Sequence, residues 1–278
     1  MVIKEIPVKD YLTASKIGSY CINPYVGCPH ACKYCYASFM KRFTNHPEPW
    51  GEFIDIKVTD KPISLKKISG KNVIMSTVTD PYNPLEAKYG ITRNILEQLV
   101  ESDCHLQIIT KSKLVPRDID LLRQMKHLTV AVSVNTTDER FQRDMDRGSS
   151  IADRMLTLRT LRENGIRNIL FMSPIFPFIT DWKDIILHTR DYVDHYWLED
   201  LNLRGGYKQT ILDYVRDRYP QHYDAYLQIY SRGNRILLYA EDKEIVDWCA
   251  ENNIPFTDYF HHEEVIGDFK GKIFTESK

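Results

Sequence analysis

The run Gly27-Cys28-Pro29-His30-Ala31-Cys32-Lys33-Tyr34-Cys35-Tyr36 decides how the rest of this chain is read. It holds three cysteines in a C-x3-C-x2-C spacing, and Cys21 lies just upstream. Four of the six cysteines therefore fall within fifteen residues, with Cys104 and Cys249 far away. A disulfide framework spreads its cysteines along a short secreted chain, whereas this crowding suits a reducing compartment and one local metal site. Three thiolates this close share a metal or react with one another. Tetrahedral zinc wants four ligands, and His30 or Cys21 could supply the fourth. A [4Fe–4S] centre also ordinarily takes four cysteines, and with three it keeps one iron open for a substrate or cofactor. The spacing alone leaves both alternatives standing.

Working outward from this run, apolar segments of strand length alternate with amphipathic ones. Strands are expected at 20–24, 73–77, 106–110, 128–134, 168–173 and 197–203. Between them, Ile95, Leu96, Leu99 and Val100 form one helical stripe, and Ile119, Leu122 and Met125 another. Ser150 and Asp153 read as a capping box opening a helix through Leu161, with Gly165 closing it. Six such alternations predict βαβ units and a parallel sheet, curled as a partial barrel or open and doubly wound. Such sheets bind ligands at the C-terminal ends of their strands. The unusual polar residues fall at that end: the cysteines, Thr77 to Tyr82, Thr110-Lys111-Ser112, Ser133 with Asn135, Ser173-Pro174 and Arg204-Gly205-Gly206. Any one of these is ordinary loop composition, but all six together describe one rim. Along 128–134, alternation puts Val130, Val132 and Val134 under the outer helices and turns Ala131, Ser133 and Asn135 toward a cavity.

Beyond Gly206 the pattern turns helical. A helix through Val215, a tyrosine-rich stretch over 219–226, a strand-like 236–240 and a helix through Trp248 are expected. With no linker composition, residues 206–278 read as a C-terminal α/β extension docked on a core of 1–205.

Composition bounds the function. The 278 residues carry 37 Lys+Arg against 38 Asp+Glu and are 43% hydrophobic, so the chain can build a core and is no general polyanion binder. No apolar run reaches the ~18 residues a membrane helix needs. The first twelve residues carry charges where a signal peptide needs an apolar core, so a cytoplasmic protein is expected. Lys41-Arg42, Lys66-Lys67, Arg140, Arg143 and Arg147 are candidates for a phosphate-binding groove. Because Asp138, Glu139, Asp144 and Asp146 interleave with the arginines, a solvated mixed-charge helix is the preferred reading there.

The cysteine spacing after a first strand resembles the signature of the radical SAM superfamily. Asn23-Pro24-Tyr25-Val26-Gly27-Cys28, Thr79-Asp80-Pro81-Tyr82-Asn83-Pro84-Leu85-Glu86 and Thr110-Lys111-Ser112 resemble its spore photoproduct lyase-like branch, over roughly residues 20–180. Within that branch the sequence is similar to the radical SAM mobile pair proteins, which implies a partner radical SAM protein. The resemblance implies a partial (β/α)6 TIM-like barrel and a [4Fe–4S] cluster on Cys28, Cys32 and Cys35. It also implies S-adenosylmethionine (SAM) on the open iron, cleaved on reduction to a 5′-deoxyadenosyl radical that abstracts a substrate hydrogen. By the same resemblance Tyr34, Tyr36, Thr79, Asp80, Lys111, Ser133 and Asn135 contact SAM. An external electron donor such as flavodoxin or ferredoxin is implied as well. A nucleic-acid substrate follows from the branch, with a peptide or protein substrate as the alternative and a non-catalytic zinc module as the alternative from another class. One departure is plain. Spore photoproduct lyases place a hydrogen-returning cysteine near the end of the second strand, where this chain has Ile74-Met75-Ser76-Thr77.

Overall fold

Near-continuous burial of apolar runs drives the expected strands into one sheet, and a computed structural model describes residues 1–260 of the chain. The strands are β1 (Val2–Pro7), β2 (Leu12–Ala14), β3 (Tyr20–Ile22), β4 (Tyr25–Val26), β5 (Phe53–Val58), β6 (Asn72–Met75), β7 (His105–Thr110), β8 (His127–Ser133), β9 (Asn168–Ile175), β10 (His195–Asp200) and β11 (Phe256–Asp258). The helices are α1 (Leu65–Ile68), α2 (Glu86–Tyr89), α3 (Ile91–Leu99), α4 (Ile119–Leu122), α5 (Glu139–Met145), α6 (Ile151–Glu163), α7 (Trp182–Thr189), α8 (Lys208–Arg218), α9 (Pro220–Tyr226) and α10 (Ile236–Glu251).

All six expected strands are present as β3 and β6 to β10, hydrogen-bonded in the order β3-β6-β7-β8-β9-β10 and all parallel. The sheet is not closed. β2 adds antiparallel to β3 at one edge, and β11 adds parallel to β10 at the other. The fold is therefore a mixed α/β partial barrel, with a short seventh parallel strand, β11, that sequence reading missed. A second sheet, β1-β5-β4, also lay outside the sequence reading. β1 has mostly exposed residues and no apolar alternation, so nothing local marks it.

The facing argument along β8 holds. Val130, Val132 and Val134 are buried in the main core with Ile151, Leu158 and Leu161 of α6. Ala131 lies on the opposite face in a separate apolar cluster with Ile169 and Trp197. The cap of α6 is also as read, the Asp153 N–H donating to the Ser150 hydroxyl at 3.1 Å.

One expected strand is overturned. Residues 236–240 open α10, whose buried side chains Leu238, Glu241, Asp242, Ile245 and Cys249 recur at helical spacing. Five consecutive apolar residues fit either element, and only their continuation to Cys249 shows the 3.6-residue period. Residues of α8 and α9, including Ile211, Leu212, Val215 and Tyr226, pack in one apolar cluster with Tyr34 of the cysteine loop, Phe141 and Phe176. Residues 261–278 of the expected C-terminal extension lie outside the described residues. No helix among the described residues is long and apolar enough to cross a membrane.

Candidate active site at the cysteine loop

Residues 27–36 link β4 to a 3-10 helix, Tyr36–Phe43, that begins directly after Cys35. Gly27 opens the loop at φ +88°, where a Cβ would come within 2.5 Å of the Phe53 carbonyl oxygen, so only glycine fits. Because β4 and β3 end at the same rim as β6 to β8, the loop meets residues from far along the chain.

One clamp comes from the segment after β6. The Thr79 hydroxyl donates to the Gly27 carbonyl at 2.6 Å. The Asp80 carboxylate accepts from the Thr110 hydroxyl at 2.7 Å, the Lys111 N–H at 2.8 Å and the Tyr82 N–H at 2.9 Å, and it faces His30 Nδ1 at 3.2 Å. A second clamp comes from the α5–α6 connection. Met145 O accepts from the Lys33 N–H at 2.9 Å, and the Arg147 N–H donates to His30 O at 2.7 Å. The Tyr34 hydroxyl donates to Asp146 at 3.2 Å.

Asp146 is itself buried and held by the Gln142 amide at 2.9 Å, the Gly148 N–H at 2.8 Å and the Arg154 guanidinium at 2.5 Å. Arg154 is fully buried at 0% exposure, and its other nitrogens donate to the Ser133 carbonyl at 3.2 Å and the Ser149 carbonyl at 2.7 Å. A single buried arginine thus ties the end of β8 to the cysteine loop through Asp146 and Tyr34.

Burial opposes ionisation of both carboxyls, yet His30 and hydrogen bonds hold Asp80, and Arg154 and Lys111 hold Asp146, below the usual carboxylate range. The thiols respond in the opposite sense. Burial pushes Cys28, Cys32 and Cys35 up, and the charges of Asp80 and Asp146 add to this at Cys28 and Cys32 respectively. The Lys111 ammonium lies 5.8 Å from the Tyr34 ring centroid, and its charge favours the thiolates of Cys32 and Cys35. All three thiols are free. Three half-buried thiols with no disulfide partner suit a cationic centre, which would turn them into thiolates. Among the described residues, no three His, Cys, Asp or Glu side chains gather on a single ion. Thiols spaced around a loop offer one donor to each of three irons, so this donor set fits a cluster.

The remaining rim residues sit around this network. The Tyr36 hydroxyl donates to the Thr77 carbonyl. Asn23 accepts from the N–H groups of Thr77 and Val78 at 3.0 and 3.1 Å and donates to the Thr77 hydroxyl at 3.1 Å. Ser173 donates to Glu199. Asn135 is buried, and its amide donates to Pro174 O at 3.2 Å. Of the ten expected site residues, the three cysteines, Tyr34, Thr79, Asp80 and Lys111 form one assembly, Ser133 joins through Arg154, Tyr36 reaches the segment after β6 at Thr77, and Asn135 bonds to the end of β9.

Two expectations about charge need correction. Asp146 does not belong to a solvated mixed-charge helix, because it is buried against Arg154. Lys66 and Lys67 lie on α1, which leads into the start of β6, so they sit at the end of the barrel opposite the cysteines and share no groove with Lys41-Arg42. Arg147 pairs with Glu52 at 2.9 Å, and Arg218 lies 3.6 Å from Asp144. Sequence reading put Asp146 in solvent and missed Arg154 altogether. The only local signal was the Asp-Arg-Gly run of 146–148 just ahead of a capped helix, which is ordinary turn composition.

Comparison with known proteins agrees with this geometry. The radical SAM superfamily profile matches residues 22–188. An uncharacterized protein of Methanocaldococcus jannaschii is 37% identical over 226 residues, which are 80% of this chain and 85% of that one. The radical SAM Nalpha-GlyT isomerase of Pseudomonas phage M6 is 25% identical over 171 residues, 59% of this chain and 34% of that protein. Among solved structures, spore photoproduct lyase complexed with dinucleoside spore photoproduct superposes with a TM-score of 0.56 at 16% identity, covering 79% of this chain and 66% of the lyase. SuiB of Streptococcus suis bound to S-adenosylmethionine gives 0.55 at 14% identity, covering 87% of this chain and 50% of that one. These structures share the fold. The family match spans more than half of the chain, and the non-catalytic zinc module gives way to an enzyme class. The chain belongs to the radical SAM superfamily, whose members use a [4Fe–4S] cluster and S-adenosylmethionine.

Proposed function

We propose that Cys28, Cys32 and Cys35 hold the [4Fe–4S] cluster and that Lys111, Tyr34, Tyr36, Thr79, Asp80, Ser133 and Asn135 form or support the SAM site. The observation that carries this reading is the set of three free thiols in one loop clamped beside the Lys111 ammonium. When bound, the cluster and SAM supply a 5′-deoxyadenosyl radical that takes a hydrogen atom from the substrate. The chain's own residues do the positioning. Lys111 offers a cation to the SAM carboxylate, and the Ser133 and Thr79 hydroxyls lie on the same rim for its polar groups. Asp80 and Asp146 fix the loop from either side, so the thiols meet the cluster without rearrangement.

The substrate we favour is a nucleic acid. Support comes from the branch resemblance and from the dinucleoside in the structurally similar lyase. The hydrogen-returning cysteine of the lyase is replaced by Thr77, whose hydroxyl is held by Asn23, so a reaction other than thymine-dimer reversal is proposed. Residues 206–278 are read as an extension docked over the core, and a partner radical SAM protein follows from the mobile-pair resemblance.

Anaerobic reconstitution tests this reading. The wild type is expected to take up iron and sulfide in equal amounts and to form 5′-deoxyadenosine from SAM under reduction, and Cys32→Ala is expected to abolish that product. Undiminished 5′-deoxyadenosine from Cys32→Ala refutes the ligand assignment. Deuterium from labelled oligonucleotides appearing in 5′-deoxyadenosine tests the substrate, and the lack of both transfer and low-salt binding removes nucleic acid.

A further inference from the structure

The geometry points to the 3-10 helix Tyr36–Phe43 as the docking ridge for an acidic electron-carrier protein that reduces the cluster, an inference that rests on the cluster assignment above. The helix starts at the residue after Cys35, so it is the stretch of surface covalently next to a cluster ligand. Its side chains break the usual rule for a surface. Phe39 is 44% and Phe43 66% exposed, a pair of large apolar side chains at the surface. The residues from 36 to 43 include Lys41 and Arg42 and no acid, in a chain whose net charge is −1. Exposed Lys33, between Cys32 and Cys35, adds a third cation in the adjoining loop.

Phe39 and Phe43 meet edge to face at 6.5 Å, and the Arg42 guanidinium lies 5.4 Å from one ring centroid and 4.7 Å from the other. Arg42 thereby joins the two rings into one aromatic–cationic patch. An aromatic–arginine patch of this size suits the small interface of a weak redox complex. The basic charge steers an acidic carrier toward it. The reaction at this surface is one electron only. A reduced flavin or iron–sulfur protein is oxidised by one equivalent, the cluster is reduced by one, and no bond or proton is exchanged.

The test compares reconstituted wild type with Phe39→Ser/Phe43→Ser and with Arg42→Glu. Cluster reduction is followed by stopped-flow absorbance with reduced flavodoxin, with reduced ferredoxin and with dithionite, and flavodoxin binding is titrated on the same proteins and on iron-free protein. Both variants are expected to slow reduction by at least one carrier about tenfold and to weaken its binding comparably. Dithionite, which needs no docking, is expected to reduce all three alike, and this also shows the variants to be folded. Carrier-driven reduction at wild-type rates in both variants overturns the proposal. So does a loss of oligonucleotide binding with carrier reduction unchanged, which would give the ridge to nucleic acid. A wild type that takes up no iron or sulfide would instead sink the cluster assignment, so the two failures are distinguishable.

Discussion

Asp146→Asn is the most informative single change at this site, because it removes one charge and almost no volume. Arg154 is fully buried, and besides Asp146 its partners are two neutral carbonyls, those of Ser133 and Ser149. The asparagine therefore leaves a guanidinium in the interior with no counter-charge. Breaking a buried ion pair from one side costs about 3–5 kcal/mol. Coulomb's law at an effective dielectric of 20 gives a similar ~4 kcal/mol for a contact pair. Urea unfolding at pH 7 of wild type, Asp146→Asn, Arg154→Met and the double variant measures the loss and the coupling. The single variants are expected to lose several kcal/mol and the double variant less than their sum, because methionine restores an apolar interior around a neutral amide. Iron uptake is expected to fall in Asp146→Asn, since the Tyr34 hydroxyl loses its anionic acceptor within the cysteine loop. A cost below about 1 kcal/mol, or a double variant that equals the sum of the singles, refutes the claim that this pair anchors the loop.

Two further outcomes follow from other places in the fold. Glu241 on α10 is buried with one oxygen accepting the Phe178 N–H at 2.9 Å and the other without a partner, and burial pushes its carboxyl up from 4.5 to about 7. The folded state thus keeps a proton that the unfolded chain releases, so the stability linked to it is fullest below pH 4.5 and is lost as pH rises through 7. Glu241→Gln is therefore expected to match wild type in thermal melts at pH 5 and to exceed it by about 3 kcal/mol at pH 8, and an equal difference at both pH values counts against the burial argument. Gly27→Ala drives a Cβ to 2.5 Å from the Phe53 carbonyl at φ +88°, and a cost of about 2 kcal/mol or more with reduced iron uptake is expected. Iron uptake and melting both at wild-type levels would show that the loop has room to move.

Much of the fold was legible because its signals are local. Each of β3 and β6 to β10 carries its own apolar run, and the Ser150 cap and the alternation along β8 need only a few neighbouring residues. Where the signal was not local, reading failed. β1, with mostly exposed residues, and the three-residue β11 are defined by their partners β5 and β10, and 236–240 carries too few residues to show a period. The site divides in the same way. Cys28, Cys32 and Cys35 announce themselves by spacing, and Thr79, Asp80 and Lys111 by motif. Asp146 and Arg154 look like surface residues in any hydropathy reading, because a charged residue declares its burial only through the partner that neutralises it.

The sequence by itself determined the donor set, since three thiols within a span of eight residues keep one loop whatever surrounds them. It also determined the parallel sheet that puts this loop at the C-terminal rim. Only the tertiary structure decided how the loop is held. Tyr34 and Asp146 are 112 residues apart, Asp80 and Lys111 are 31 apart, and each contact forms because strand ends from separate βαβ units converge on one rim. Buried charges are tolerable only in pairs, and which pair forms is a property of packing between units that no stretch of the chain contains.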